Sequence, residues 1–394
     1  MKVLIVHNDY GKPSGEEHAL GTIIDLLKTN DHEVLEFRKS SVPLMNGGIG
    51  IQAKAFFSGI HSFSSAREID RFLSENEVDV VQLQNVFPFL SPSVIPVIKK
   101  HGIPIVMRCP NYRLSCPSGL HLRNGAVCEK CVGGKEWNCF TNNCEGNLIK
   151  SLGYAMRSGW ARFRKTYLNH VDRFLVLSEF QKKRFVEGGI PAERIAIFPN
   201  FSRIVRDEAP PANKIGDTIS FVGRLAPEKG IELFIEAARR LPDLKFSAAG
   251  DHAWVDQSGC ELPPNLTLRG FLAGEELSQF YQESKMLCFP CQWYEGFPNV
   301  IITAMEHKKP VVAGRIGALP EIVLEGQTGL LHDPPSIDEL VACIQKLDAD
   351  ESLCRQFGQQ GFERIFSNYH VDTVYPKLID VYQSVQAPLS TLSN

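Results

Sequence analysis

The stretch FVGRLAPEKGIELF, residues 221–234, decides the fold. It reads as a buried strand ending at Gly223, a turn carrying Arg224, Pro227, Lys229 and Gly230, and a helix whose Ile231, Phe234, Ile235 and Ala238 share one face. A strand that passes through a short turn into an amphipathic helix is the opening step of a parallel βαβ unit. In such sheets ligands sit outside the carboxyl ends of the strands, and the turn's two cations fall there. A basic pair in a loop is, taken alone, a solvated pair. Here a glycine that admits close backbone approach, two cations within one turn and a second strand-to-helix turn at Glu295 together outline a diphosphate cradle.

Similar units flank this one. TISFVG from 218, LKFSAAG from 244, LTLRGF from 266, KMLCFP from 285 and KPVVAG from 309 form a series of strands separated by helical patterns. The first half repeats the theme with KVLIV, VDVVQL at 78–83, IPIVMR at 103–108, FLVLS at 174–178 and RIAIFPN at 194–200. Its first crossover shows the helical period, because Leu20, Ile23, Ile24 and Leu27 make one apolar face. The pattern predicts an α/β protein of two doubly wound units, residues 1–200 and 218–370. Residues 201–217 read as the linker, since DEAPPANKIGD at 207–217 is polar and proline-bearing. Residues 371–394 read as a last helix and a tail, APLSTLSN, with nothing to bury.

The bulk numbers agree with two domains, since 394 residues exceed what one core of ~100 to 200 residues organises. With 43% hydrophobic and 22% charged residues the chain is ordinary globular protein. A net charge of -3 supplies no basic field, so nucleic acid is not expected as a partner. The opening run Lys2-Val3-Leu4-Ile5-Val6 is far shorter than a signal core of ~7 to 15 residues or a membrane span of ~20. The expectation is therefore a cytoplasmic protein. A helix expected over 151–174 mixes Arg157, Arg162, Arg164 and Lys165 with Tyr154, Met156, Trp160 and Phe163. It reads either as an ordinary packed helix with a basic edge or as a peripheral contact with the inner face of the membrane.

Eleven cysteines, an odd number, argue for reduced thiols and metal rather than a disulfide framework. Cys116, Cys128, Cys131, Cys139 and Cys144 crowd into residues 109–146. Cys128-x2-Cys131 is a half-site for tetrahedral zinc, with Cys116 and one later cysteine completing four ligands. The alternative is a set of reduced thiols in an irregular loop. Four thiolates would leave no open position, so such a metal is structural, and no catalytic cofactor is expected.

YEGFPNVIITAME, residues 294–306, sets Glu295 just before a helix. A carboxylate there suits a helix cap, but a ligand phosphate could claim the same amides. The ordered set FVGRLAPEKGI, SAAGD, LCFPCQWYEGFPNVIITAM, KPVVAGRIGALPEIV and GQTGLLHDP, spanning most of 219–334, resembles the retaining nucleotide-sugar glycosyltransferases of family 4, or group 1. The first half is similar more loosely, through SGEEHAL with Gly15, FPFLSPSV, the Cys-containing NYRLSCPSGLHLRNGAVCEKC and VLSEFQKKRF. The resemblance implies the GT-B fold, two Rossmann-like domains facing across a cleft. It implies transfer of a sugar, with retention, from a nucleoside diphosphate sugar to a saccharide or lipid-linked acceptor, in surface polysaccharide or glycan biosynthesis.

Carried over by position, Arg224 and Lys229 neutralise the donor diphosphate and Glu295 contacts the transferred sugar. Gly15, Gly223, Phe297, Pro298 and Asn299 lie on the donor side, and Pro298 has no N–H to give. By analogy with the subgroup that carries the cysteine insert, Cys144 is the fourth zinc ligand. Two positions depart from the pattern. Thr303 stands where the family has an acid that grips the ribose, and it offers a single hydroxyl in place of a bidentate acceptor. Pro110 stands where a histidine is common at the end of the fourth strand. These departures keep open the alternative of a catalytically silent GT-B protein that binds a sugar nucleotide or glycan.

Overall fold

The structure, a computed structural model, describes residues 1–11, 15–45, 47–208 and 215–386. Residues 209–214 of the expected linker and the tail 387–394 lie outside them. The chain forms two units, one of Met1–His121, Cys128–Phe198 and Tyr375–Asn394, the other of Leu122–Val127 and Pro199–Val374.

In the first unit the strands are β1 (Lys2–Asp9), β2 (Glu33–Ser40), β3 (Val80–Leu83) and β4 (Ile105–Arg108), then, past a small hairpin of β5 (Leu122–Arg123) and β6 (Ala126–Val127) that groups with the other unit, β7 (Arg173–Val176) and β8 (Ile195–Ile197). They form a six-stranded sheet in the order β2-β1-β3-β4-β7-β8, every neighbouring pair parallel. Val3, Leu4, Ile5 and Val6 are all fully buried, because crossover helices cover both faces of a parallel sheet. The helix Gly15–Thr29 buries Leu20, Ile23, Ile24, Leu26 and Leu27, the face expected from its spacing plus one residue. The C-terminal helix Val371–Gln386 buries Leu378 and Tyr382, and the Tyr382 hydroxyl donates to Gln82 of β3.

The second unit holds β9 (Thr218–Val222), β10 (Lys245–Ala249), β11 (Leu266–Leu268), β12 (Ser284–Phe289), β13 (Val311–Gly314) and β14 (Gly329–His332). Their order is β11-β10-β9-β12-β13-β14, again all parallel. This is the 3-2-1-4-5-6 order of a Rossmann sheet, and its direction of winding reverses between β9 and β12. Phe221, Phe234, Phe246 and Met286 anchor the core, with the helix Ile231–Arg240 burying Ile231, Phe234, Ile235, Ala237 and Ala238.

Two expectations are corrected. EVLEFRKS, residues 33–40, is an edge strand absent from the series read off the sequence, with outward residues exposed in alternation. The basic aromatic segment is not one helix over 151–174. It runs as Leu148–Phe163 and then Thr166–His170, broken at Lys165, which adopts a left-handed φ of 49°.

Candidate functional site

The point where the second sheet reverses winding brings together two turns distant in sequence. After β9 the chain passes Gly223, at φ 142°, and a 3-10 turn Pro227–Lys229, then enters the helix at Gly230. After β12 it runs through Pro290 to Pro298 before the helix Asn299–Glu306. Because β9 and β12 are neighbours, Lys229 meets Glu295: the ammonium donates to Glu295 Oε1. Trp293 Nε1 donates to the same oxygen at 2.8 Å, and the Lys229 Nζ stands 5.1 Å from the Trp293 ring centre and 5.8 Å from that of Phe289. The Lys229 and Glu295 side chains are 18% and 12% exposed, so the pair is largely shielded from water. Arg224, 57% exposed, donates to Glu228. Each cation thus has an acid beside it.

Glu295 does not cap the following helix. The N-cap is Pro298, whose side chain makes no cap hydrogen bond. Phe297 turns its ring into the core against Tyr369, 5.0 Å between centres, and its carbonyl accepts from Asn200 Nδ2 at 2.9 Å. Asn299 opens the helix, and Thr303 Oγ1 donates back to the Asn299 carbonyl at 3.2 Å. The Glu306 carboxylate accepts from the Ser202 hydroxyl, and burial raises its carboxyl above the usual range. Trp293 and Glu228 were not singled out by sequence reasoning, and no spacing signal marks either one.

In the first unit a polar cluster occupies the corresponding reversal, between β1 and β3. The Tyr10 hydroxyl donates to Glu16 Oε2 at 2.6 Å, and Arg113 Nη1 donates to Asn85 Oδ1 at 2.7 Å. Burial raises the Glu16 carboxyl, opposed by the Arg113 guanidinium. Burial alone would lower Arg113, but Tyr10 and Glu16 beside it turn the balance and raise it. Among the described residues, Glu16 Oε1 and both polar atoms of the Gln84 amide are buried without a hydrogen-bond partner. Gly15 opens the helix Gly15–Thr29 with open space around the position of a Cβ. Pro110, two residues past β4, offers no proton donor.

Among the described residues, the one group of three or more metal-ligating side chains whose atoms lie within 4.8 Å is His7, Asp9 and Glu17. Asp9 already receives Arg38 Nε at 3.0 Å, Glu17 receives the Tyr10 amide at 2.7 Å, and a cation there would face the guanidinium. Cys116, Cys128, Cys131 and Cys144 gather in one region of the unit, without three sulfurs inside that distance. Among the described residues no helix is long and apolar enough to cross a membrane.

Residues 205–364 match the family described as glycosyl transferases group 1. A 42.6 kDa protein of the cps region of Klebsiella pneumoniae is 24% identical over 300 residues, 75% of this chain and 73% of that protein. The lipopolysaccharide 1,2-N-acetylglucosaminetransferase of Salmonella typhimurium is 26% identical over 228 residues, 51% of this chain and 59% of that enzyme. Of further curated relatives the chain spans between 21% and 61% of their length. The crystal structure of Anabaena HepE in complex with UDP and glucose superposes with a TM-score of 0.66 at 18% identity, covering 98% of this chain and 100% of that one. The structural likeness shows the GT-B fold, two Rossmann-type parallel-sheet units. In residues 205–364 this chain is similar to the glycosyl transferases of group 1.

Proposed function

We propose that this chain is a retaining hexosyltransferase that moves a sugar from a nucleoside diphosphate donor to a saccharide or lipid-linked saccharide acceptor in surface polysaccharide or glycan biosynthesis. The observation that carries the reading is the shielded Lys229–Glu295–Trp293 cluster at the winding reversal of the second sheet. Lys229 and Arg224 neutralise the diphosphate as the bond from the sugar's anomeric carbon to the phosphate oxygen breaks, electrostatic help that is usually a large catalytic effect. Glu295, an acceptor fixed by Trp293, takes hydroxyls of the transferred sugar. Gly223, Pro298 and the backbone of Phe297 and Asn299 shape the donor side, and Thr303 holds the ribose with one neutral hydroxyl. Gly15 opens the donor side of the first unit. The acceptor oxygen bonds to the anomeric carbon on the face the phosphate leaves, and its proton passes to the departing phosphate. Pro110 in place of histidine is compatible with that route. Tyr10, Glu16, Asn85 and Arg113 offer the acceptor a set of buried hydrogen-bonding groups.

The test is a panel of UDP- and GDP-sugars incubated with the purified protein. One of them is expected to release free nucleoside diphosphate slowly without acceptor and faster with a saccharide acceptor. Tight donor binding with no cleavage of any member would instead identify a silent binder.

We further propose a peripheral membrane contact for the helix Leu148–Phe163. Ile149, Met156, Trp160 and Phe163 recur on one side and are exposed, Phe163 by 78%, with Arg164 and Lys165 beside them. Arg157 and Arg162 do not contribute: the first is buried between the Phe87 and Tyr154 rings, and the second is held by Glu136. The protein is expected to sediment with anionic vesicles and to lose that binding when Trp160 and Phe163 are both replaced by Ser. Undiminished binding of the double variant would clear this helix of the role. Eleven cysteines without a disulfide fit a reducing, cytoplasmic setting.

A further inference from the structure

The segments that follow β3 and β4 in the first unit line a cavity of about 60 Å³, walled by Phe87, residues 113–117 and the helix Leu148–Phe163. At ~10 to 15 Å³ for each water-sized group it admits about four to six such groups, the size of a carboxylate or phosphate and too little for a whole sugar. Ligands of parallel sheets sit beyond these strand ends. The charged side chains in its lining are Arg113, Arg162 and Lys165 against one acid, Glu136. That acid is taken. Arg162 Nε donates to Glu136 Oε1, and Arg162 Nη1 donates to the Gly188 carbonyl at 3.1 Å. Arg113 and Lys165 are left, a local positive excess in a chain of net charge -3.

The cations here are answered by neutral groups. Arg113 Nη1 donates to the Asn85 amide oxygen at 2.7 Å, and its Nε is buried without a partner among the described residues. Glu16, the acid within its reach, already receives the Tyr10 hydroxyl at 2.6 Å and Asn111 Nδ2 at 3.4 Å. Arg157, 6% exposed, lies on the ring of Phe87 and donates to the Pro117 carbonyl at 3.1 Å, both residues of the cavity wall. Its Nε also has no partner among the described residues. Burial lowers the Arg157 guanidinium to about 10, and Arg113 nearby pushes the same way. Phe87, Arg113, Leu114 and Tyr167 also line a smaller cavity of about 20 Å³, where Gln84 is 2% exposed with both amide atoms unpartnered among the described residues. Buried charges and amides left without partners are costly, and an anion among them would lower that cost.

We infer that this cavity takes an anionic group of the acceptor, a carboxylate or a phosphate ester, on Arg113 and Lys165, so that the acceptor is an acidic saccharide or a phosphate-linked one and not a neutral sugar. Arg113 presents a planar fork that suits either oxyanion, and Lys165 adds a second positive charge. Gln84 adds an amide N–H from the adjoining cavity. Apolar walls such as Phe87, Leu114 and Ala161 keep the local dielectric low and strengthen the attraction. That the anion belongs to an acceptor rests on the glycosyltransferase reading; binding of the anion does not.

The full chain is titrated calorimetrically with methyl glucuronoside, glucose 6-phosphate, inorganic phosphate and, as the neutral control, methyl glucoside, with UDP and GDP in excess to fill the donor cradle. A charged probe is expected to bind ~10- to 100-fold more tightly than methyl glucoside, the gain from charge-assisted hydrogen bonds. Arg113→Gln should abolish that preference and Lys165→Gly should reduce it. Glycine takes the φ of 49° at position 165 without strain, so the second variant keeps the test open if the first does not fold. Charged probes that bind no better than the control, or as well to both folded variants, overturn the inference. Transfer assays then name the source of the charge. Use of a uronoside points to a sugar acid, and use of a saccharide on a polyprenyl diphosphate, but not on an octyl chain, points to the lipid linkage. Neutral acceptors used equally well overturn the acceptor assignment. If no donor reacts, the enzyme reading alone fails, and the titration still decides the site.

Discussion

Lys229→Ala is expected to lower donor turnover ~100- to 1000-fold, the loss that follows removal of one preorganised charge or donor aimed at a leaving group. Lys229 comes to its place through topology: β9 and β12 are paired, and the turns that follow them face each other. Its ammonium is held by Glu295 and by the faces of Trp293 and Phe289, so its direction is fixed before a ligand arrives. The effect on stability is a separate matter. The pair is shielded but not fully buried, which places its removal between an exposed pair worth ~0 to 1 kcal/mol and a buried one worth ~3 to 5. Trp293 still donates to Glu295, which limits the cost of leaving that carboxylate behind. A drop of about 1 to 2 kcal/mol therefore leaves the variant folded while the barrier rises by ~3 to 4 kcal/mol. Arg224→Ala should cost stability almost nothing, because that side chain is mostly exposed. Nucleoside diphosphate release, measured alongside thermal melting, separates the two effects. A folded Lys229→Ala protein with native turnover would remove Lys229 from the chemistry.

The second sheet was legible because parallel strands covered on both faces are nearly continuous apolar runs, as KMLCFP and KPVVAG are. The edge strand Glu33–Ser40 was not, since half of it faces solvent and its charges mask the pattern. The break at Lys165 had no glycine or proline to announce it, only a left-handed lysine followed by a new helix. At the site, Arg224, Lys229 and Glu295 were marked by their two strand-to-helix turns and given roles by resemblance, and the direct contact between Lys229 and Glu295 is a property of strand order that no local window contains. Trp293 shows the limit: an aromatic residue beside a motif has no spacing signature, and only the folded loop brings its N–H onto the carboxylate. Glu306 shows the same limit for charge, since its partner Ser202 lies in a distant segment.

Gly230→Ala is expected to lose about 2 to 5 kcal/mol, from left-handed strain of ~1 to 2 and a clash costing ~1 to 3. Gly230 sits at φ 83° and ψ 24°, closing the turn after β9 and starting the helix Ile231–Arg240. A Cβ there would lie 1.9 Å from the Pro290 carbonyl oxygen and 2.5 Å from its carbon. Those are backbone atoms at the end of β12, so no side-chain rotation relieves the contact. The turn bearing Lys229 and the loop leading to Glu295 must move apart, and the same substitution that weakens the fold opens the cradle. Gly259 supplies the control: its φ is 67° with open space at the Cβ, so Gly259→Ala carries strain alone, ~1 to 2 kcal/mol. At ~2 to 4 °C per kcal/mol for a unit of this size, Gly230→Ala should melt about 10 °C below the native protein, well below the control. If the two variants melt together, the close approach of the turn after β9 to Pro290 is not a feature of the folded chain, and the placement of Lys229 against Glu295 falls with it.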